Sequence, residues 1–205
     1  MQAAMSQRQT LQNLFADYPL LRAHELQAAG ISPGTIARAT HEGIIERVTR
    51  GLYQSSTAPI DANQALAEAS KRLPKGVIAL VSAFAFHGLT DQMPRAVWVA
   101  IGGSDWAPAP AYPPIKIVRF SQRYLGQGIE HHEIAGVEVP IYSIVKSLAD
   151  AFRNPTLVDR SVAIEALKSA LTQRKALLSD IVSAAKEGGA WNIMRPYLEA
   201  LTSNG

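Results

Sequence analysis

The sequence predicts an α+β fold on three observations. Two short helical stretches joined by a glycine lie between Leu21 and His41. A β-branched segment, Ile44 to Tyr53, follows with a glycine near its tip, as a tight hairpin requires. Strand-like segments then occupy the middle of the chain and give way to helical periodicity from Ser143 onward. The expected architecture is an N-terminal winged helix-turn-helix, a small mostly antiparallel sheet and a C-terminal helical part.

The first helix is expected over Gln7 to Asp17, with Leu11, Leu14 and Phe15 facing inward and Pro19 ending the run. Leu21, Leu26, Ala29 and Ile31 make an apolar stripe for the second helix, and Gly30 closes it at the position that favours a left-handed residue. Ser32 is the expected cap of the third helix, Pro33 suits its first turn, and Ile36 and Ala39 point to the core. Ser32, Thr35, Arg38 and His41 are then left on the outer side, where such side chains read bases and phosphates. Arg47 and Arg50 stand on the hairpin, the element that touches flanking backbone in a winged helix. The competing reading is a helix pair with a solvated hairpin, Arg50 being neutralised by Glu46.

The polar stretch from Gln54 to Pro59 marks a boundary, dividing residues 1–58 from 59–205, and Asp61 with Gln64 resembles a capping box opening the next helix. Pro74 and Gly76 break that helix, and the apolar run from Val77 to Leu89 fits either strand or helix. Strands are expected at Val97–Ile101, Ile115–Arg119, Ile129–Ile134 and Val137–Ile141, the last pair joined at Gly136. Gly102 to Pro110 is too rich in glycine and proline for regular structure. Helices are expected over Ser143–Phe152, Asp159–Thr172, Ser179–Glu187 and Trp191–Leu201, with Lys146, Arg153, Arg160, Lys168, Arg174 and Lys175 on their outer faces.

The chain has 205 residues, a formal charge of +3, 47% hydrophobic residues and no cysteine. That composition supports a buried core and excludes disulfides and thiolate metal sites. No membrane span or secretory leader is evident, so the expected compartment is the cytoplasm. Up to Ala58, five arginines face four carboxylates, so basicity there is local, and repeated DNA sites or further basic surface would have to supply affinity.

Enzyme readings find little support. In His131-His132-Glu133, alternation along a strand puts His132 on the opposite side from the other two, leaving no third ligand for zinc. His87, in an apolar segment before Gly88, reads as a satisfied core or helix-end histidine. No Gly-x-Ser-x-Gly elbow occurs, Gly102-Gly103-Ser104 lacks a phosphate-loop lysine, and no acidic residue has a lysine two positions later as a nuclease strand would. No catalytic residue, metal or cofactor is therefore expected. Trp98, Trp106 and Tyr112 could line a ligand pocket in the sheet, which would make the chain a solitary ligand-sensing winged-helix regulator.

Three blocks together resemble the AbiEi antitoxins: Arg47-Val48-Thr49-Arg50-Gly51-Leu52-Tyr53; Ser82-Ala83-Phe84-Ala85-Phe86-His87-Gly88-Leu89-Thr90; and Ile141 through Arg153 with Val162 to Leu167 and the closing Met194 to Leu198. The chain departs from the pattern at Ile144-Val145-Lys146, where a more polar helix start is expected. The resemblance implies an antitoxin of a type IV toxin-antitoxin or phage-abortive-infection system. It implies a nucleotidyltransferase-like toxin encoded beside it, and repression of its own promoter through the winged helix. Ser32, Thr35, Arg38, Arg47 and Arg50 are the positions it carries over for DNA, and the C-terminal part would neutralise the toxin. A protein-docking module that never touches DNA is the remaining alternative.

Overall fold

In the computed structural model, residues 6–58 and 61–203 are described; Pro59, the end of the expected boundary stretch, lies outside them. Helix α1 (Gln7–Asp17) is capped by Ser6, whose hydroxyl accepts from the Gln9 amide. Strand β1 (Leu20–Arg22) follows, then α2 (Ala23–Ala28), α3 (Pro33–His41) and the hairpin β2 (Ile45–Thr49) and β3 (Leu52–Ser55). The three strands form one antiparallel sheet in the order β1-β3-β2. Leu21 belongs to β1 and not to the second helix, because three residues after Pro19 pair with β3 before the chain turns helical. A strand this short shows no period in sequence. Gly30 takes φ +83° after α2, as its place at the helix end demands. Leu11, Phe15, Leu26, Ile31, Ile36, Ala39 and Ile45 close a small core of their own.

Beyond the junction come α4 (Gln64–Arg72), β4 (Val77–Ile78), α5 (Leu80–Phe86), β5 (Val97–Gly102), β6 (Ile115–Phe120), α6 (Gln122–Leu125), β7 (Ile129–Ile134) and β8 (Val137–Tyr142). The ambiguous apolar run thus contains both a strand and a helix. Helix α4 starts at Gln64, three residues later than expected, because the Asp61 carboxylate bonds the Asn63 amide at 2.7 Å in a local turn and does not cap a helix. The five-stranded sheet runs β6-β5-β4-β8-β7. It is mixed, not mostly antiparallel: β4–β5 and β7–β8 are antiparallel, β4–β8 and β5–β6 parallel. The parallel β5–β6 pair is possible because the long Gly/Pro loop serves as its crossover. Arg72 and Arg119 pin that loop by donating to its carbonyls.

Both faces of this sheet are covered. Val97, Val99 and Ile101 of β5 face α4, together with Val139 and Ile141 of β8, while Trp98 and Ala100 face the helices α7 (Ile144–Arg153), α8 (Arg160–Thr172), α9 (Leu178–Glu187) and α10 (Trp191–Thr202). A strand buried on both sides has no polar alternation, which is why β5 reads as an unbroken apolar run. The N-terminal unit docks on the α4 face: Leu20 and Leu52 are buried with Leu66, Ala69 and Val137. Lys71 pairs with Glu25 at 2.6 Å and Gln64 donates to Gln54 at 2.6 Å across the same junction. Gly136 turns β7 into β8 at φ +68°, and a Cβ there would sit 2.5 Å from Pro19 Cδ, so the contact needs glycine twice over.

Two groups of residues are not where the sequence places them. Trp98 is buried under the Lys116 ammonium, whereas Trp106 and Tyr112 are exposed, so the three do not line a common pocket. Lys146 and Arg153 turn inward, not outward, and bracket Asp150 at 2.6 and 2.8 Å; Lys146 is 4% and Asp150 1% exposed. Among the described residues, no helix is long and apolar enough to cross a membrane.

Candidate nucleic-acid interface

The N-terminal unit presents α3 and the β2–β3 hairpin to solvent. Ser32 opens α3 in extended conformation (φ −71°, ψ 153°), and its hydroxyl accepts from the Thr35 amide at 3.2 Å, satisfying one of the free donors of the first turn. Pro33 costs nothing there because its position needs no N–H. Ile36 and Ala39 fasten the helix to the core, which decides the face left over.

That face holds some of the expected residues and not others. Arg38 and His41 are exposed and lie one turn apart in the last turns of α3, where the helix dipole also favours a cation. Ser32 and Thr35 are half-buried and turned toward α1, not outward. Their hydroxyls lie 3.0 Å apart, Thr35 donates to the Gln7 side-chain oxygen at 2.7 Å, and the Ser32 amide donates to that same oxygen at 3.1 Å. The two residues therefore hold α3 against α1. Gln7 gives no sign of this role in sequence, since it acts across 25 to 28 positions.

On the hairpin, Arg47 is exposed and its Nε reaches the Thr49 carbonyl at 3.4 Å, steadying the side chain beside the bulge between Arg47 and Thr49. Arg50 sits in the turn with Gly51 and is exposed. Among the described residues, Arg38, Arg47 and Arg50 form no ion pair, so the expected competitor Glu46 does not neutralise Arg50. Arg8 does have a partner, Glu42 at 3.1 Å, and the two share a shallow cleft with Arg38.

Residues 9–56 match the AbiEi antitoxin family of transcriptional regulators. The matched segment runs from within α1 to just past β3, so it coincides with the unit that carries this face. The RV2827C protein from Mycobacterium tuberculosis, known from a crystal structure, is similar in fold along nearly the whole chain. The superposition has a TM-score of 0.56 at 12% identity and covers 98% of this chain and 82% of that one. At that identity the likeness speaks to fold alone. No curated protein matches.

The histidines form no further centre. His131 and His132 pair with Glu138 at 3.1 Å and Glu130 at 3.4 Å respectively. Among the described residues, no three His, Asp or Glu side chains converge as metal ligands would. His87 ends α5, and its Nε2 meets the Tyr142 carbonyl at 2.8 Å while burial holds its pKa below the ordinary value.

Proposed function

We propose that residues 1–58 are a winged helix-turn-helix that binds DNA, and that the chain is a type IV antitoxin that represses its own operon. The observation that carries this reading is the set of exposed cations with no ion-pair partner among the described residues, Arg38, Arg47 and Arg50, on one helix and one hairpin of the unit that matches the family. Arg38 and His41 on α3 would meet base edges or phosphates in the major groove, and Arg47 and Arg50 would fix the hairpin on the flanking backbone. Ser32 and Thr35 serve the same end indirectly, by setting how α3 projects from α1. The sequence α1-β1-α2-α3-β2-β3, with β3 central in the sheet, supports the winged-helix reading.

Residues 59–205 would then neutralise a nucleotidyltransferase-like toxin encoded beside the antitoxin, in the cytoplasm and without catalysis. With so few phosphate contacts per copy, repeated promoter sites would supply affinity through several bound copies.

The deciding test is a gel shift of the full chain on its own upstream DNA, against a scrambled duplex and at two salt concentrations. Specific, salt-sensitive binding that Arg38→Ala weakens is the expected result. If the wild-type chain ignores its promoter at low salt, the unit docks a protein and does not bind DNA. Co-expression with the neighbouring toxin tests the second half: Arg38→Ala and Arg50→Ala are expected to retain protection while losing repression.

A further inference from the structure

The exposed stripe of α3 consists of Gly34, Ala37, Arg38 and His41, and its side-chain donors all lie in the C-terminal half. At the other end Gly34, one turn before Arg38 on the same face, offers no side chain. The fold does not ask for that glycine. It sits inside the helix, and a Cβ there would meet nothing closer than Ser32 Oγ at 3.9 Å. Alanine would make the better helix. A glycine that weakens its helix and relieves no clash within the chain suits a close approach from outside.

The donor missing from that end comes from α1. Gln7 is exposed, and its Oε1 accepts from the Ser32 amide at 3.1 Å and from the Thr35 hydroxyl at 2.7 Å. Turning the carboxamide over would set its NH2 group against the Ser32 amide, donor against donor, so these neighbours fix its orientation. Because the Thr35 proton goes to Gln7, the Ser32 hydroxyl donates to Thr35 Oγ1 at 3.0 Å, and each proton in the chain of bonds finds one acceptor. With Oε1 doubly engaged, Nε2 is directed away from both donors, and its two N–H groups have no acceptor among the described residues. Arg8, the next residue, is drawn off to Glu42 at 3.1 Å.

We propose that Gln7 donates through Nε2 to a phosphate of the DNA backbone beside the first turn of α3, and that Gly34 keeps that turn clear for the strand. The contact rests on the DNA-binding function proposed above and adds to it a residue outside α3 and the hairpin. A helix lodged in the major groove is flanked by the phosphate strands that wall it. A phosphate oxygen only accepts, which matches a carboxamide with only N–H groups left to give. Gln7 then has a task on each side. Its oxygen sets the tilt of α3 against α1, and its nitrogen ties that tilt to the duplex.

The test titrates the full chain onto its upstream duplex, with single uncharged methylphosphonates stepped along both strands, and compares wild type with Gln7→Glu. That variant keeps an oxygen for Ser32 and Thr35 and removes the outward donor. Its unfolding midpoint should match wild type, while affinity falls about tenfold to a hundredfold on the specific and the scrambled duplex alike. A methylphosphonate at the contacted position should weaken wild type and not Gln7→Glu, whereas other sensitive positions stay sensitive in both. Gly34→Leu adds bulk where the fold has room, so it should not lower the midpoint and should weaken both duplexes. Unchanged affinity in Gln7→Glu, or a methylphosphonate pattern the same in variant and wild type, would overturn the contact while leaving DNA binding intact. A wild-type chain that ignores the duplex overturns the DNA-binding reading, and this contact with it.

Discussion

The basic side chains of α3 and the hairpin and those of α7 are alike in kind and opposite in circumstance. Arg38, Arg47 and Arg50 are exposed and without an ion-pair partner among the described residues, whereas Lys146 and Arg153 close on Asp150 at 2.6 and 2.8 Å inside the helical layer. Around that second cluster, Arg153 stacks over Tyr124 and donates to the Gly188 carbonyl at 3.0 Å, and Lys146 lies near the Phe120 and Tyr142 rings. Burial pulls the Lys146 ammonium below the usual lysine range, against the attraction of Asp150. A charge whose partner lies inside the fold is spent on holding elements together; one without such a partner is available to an external anion. The two regions should therefore respond to mutation in opposite ways.

The largest expected effect is that of Asp150→Ala, which strands two cations in a largely apolar layer. Removing one partner of a buried pair costs about 3–5 kcal/mol, so urea unfolding should show a large loss of stability. A loss within surface-mutation range would mean that the Lys146–Asp150–Arg153 cluster does not hold the helical layer together. At the junction of the two units, Gly136→Ala forces a side chain into φ +68° against Pro19, and a cost of about 1–3 kcal/mol is expected. Thermal unfolding reads it, and an unchanged midpoint would mean that the units are not locked there.

Arg38→Ala should do the reverse of Asp150→Ala: stability within about 0.5 kcal/mol of wild type, but promoter affinity down by about 1–3 kcal/mol if the guanidinium pairs with guanine. Arg47→Ala and Arg50→Ala test the proposed hairpin contacts. Phosphate contacts carry no sequence information, so these changes should weaken specific and scrambled duplexes alike and lower the salt slope by about one each.

The smallest effect concerns His87. Its Nε2 is held at the Tyr142 carbonyl, with Glu130, His132 and Lys175 the charged or titratable groups around it, and burial lowers its pKa from 6.5. The neutral ring is thus favoured in the folded chain. Its contribution is present above pH 6.5 and is lost as pH falls below that value toward the lowered one. His87→Gln should flatten this part of the acid limb of a stability-against-pH curve, and an unaltered limb would assign the slope to other groups.

What was legible in the sequence follows from the range of the forces involved. α1 spans the residues expected and stops just before Pro19, α8 to α10 fall within a residue of their expected bounds, and Ser32 caps α3 as its spacing suggests. The strands β5, β6 and β8 each extend one residue beyond expectation and β7 not at all. These depend on neighbours within a few positions. β1 escaped notice and β4 stayed undecided within a run that fits strand or helix, because strands of three and two residues exist only through pairing with distant partners. On the candidate interface, Arg38, His41, Arg47 and Arg50 stand exposed as expected, while Ser32 and Thr35 are claimed by Gln7.

Most helix termini, the hairpin turn and the order in which the elements follow one another can be read along the chain, because caps, glycines and apolar spacing act locally. The mixed strand order, the burial of Lys146 and Arg153, and the Glu68 oxygen left without a partner among the described residues arise only when the chain folds. Each of those depends on which distant group reaches a side chain first: Asp150 claims two cations, and the loop carbonyls take Arg72 before Glu68 can. Hydrogen-bond partners are won by proximity in space, and the linear chain does not record who arrives.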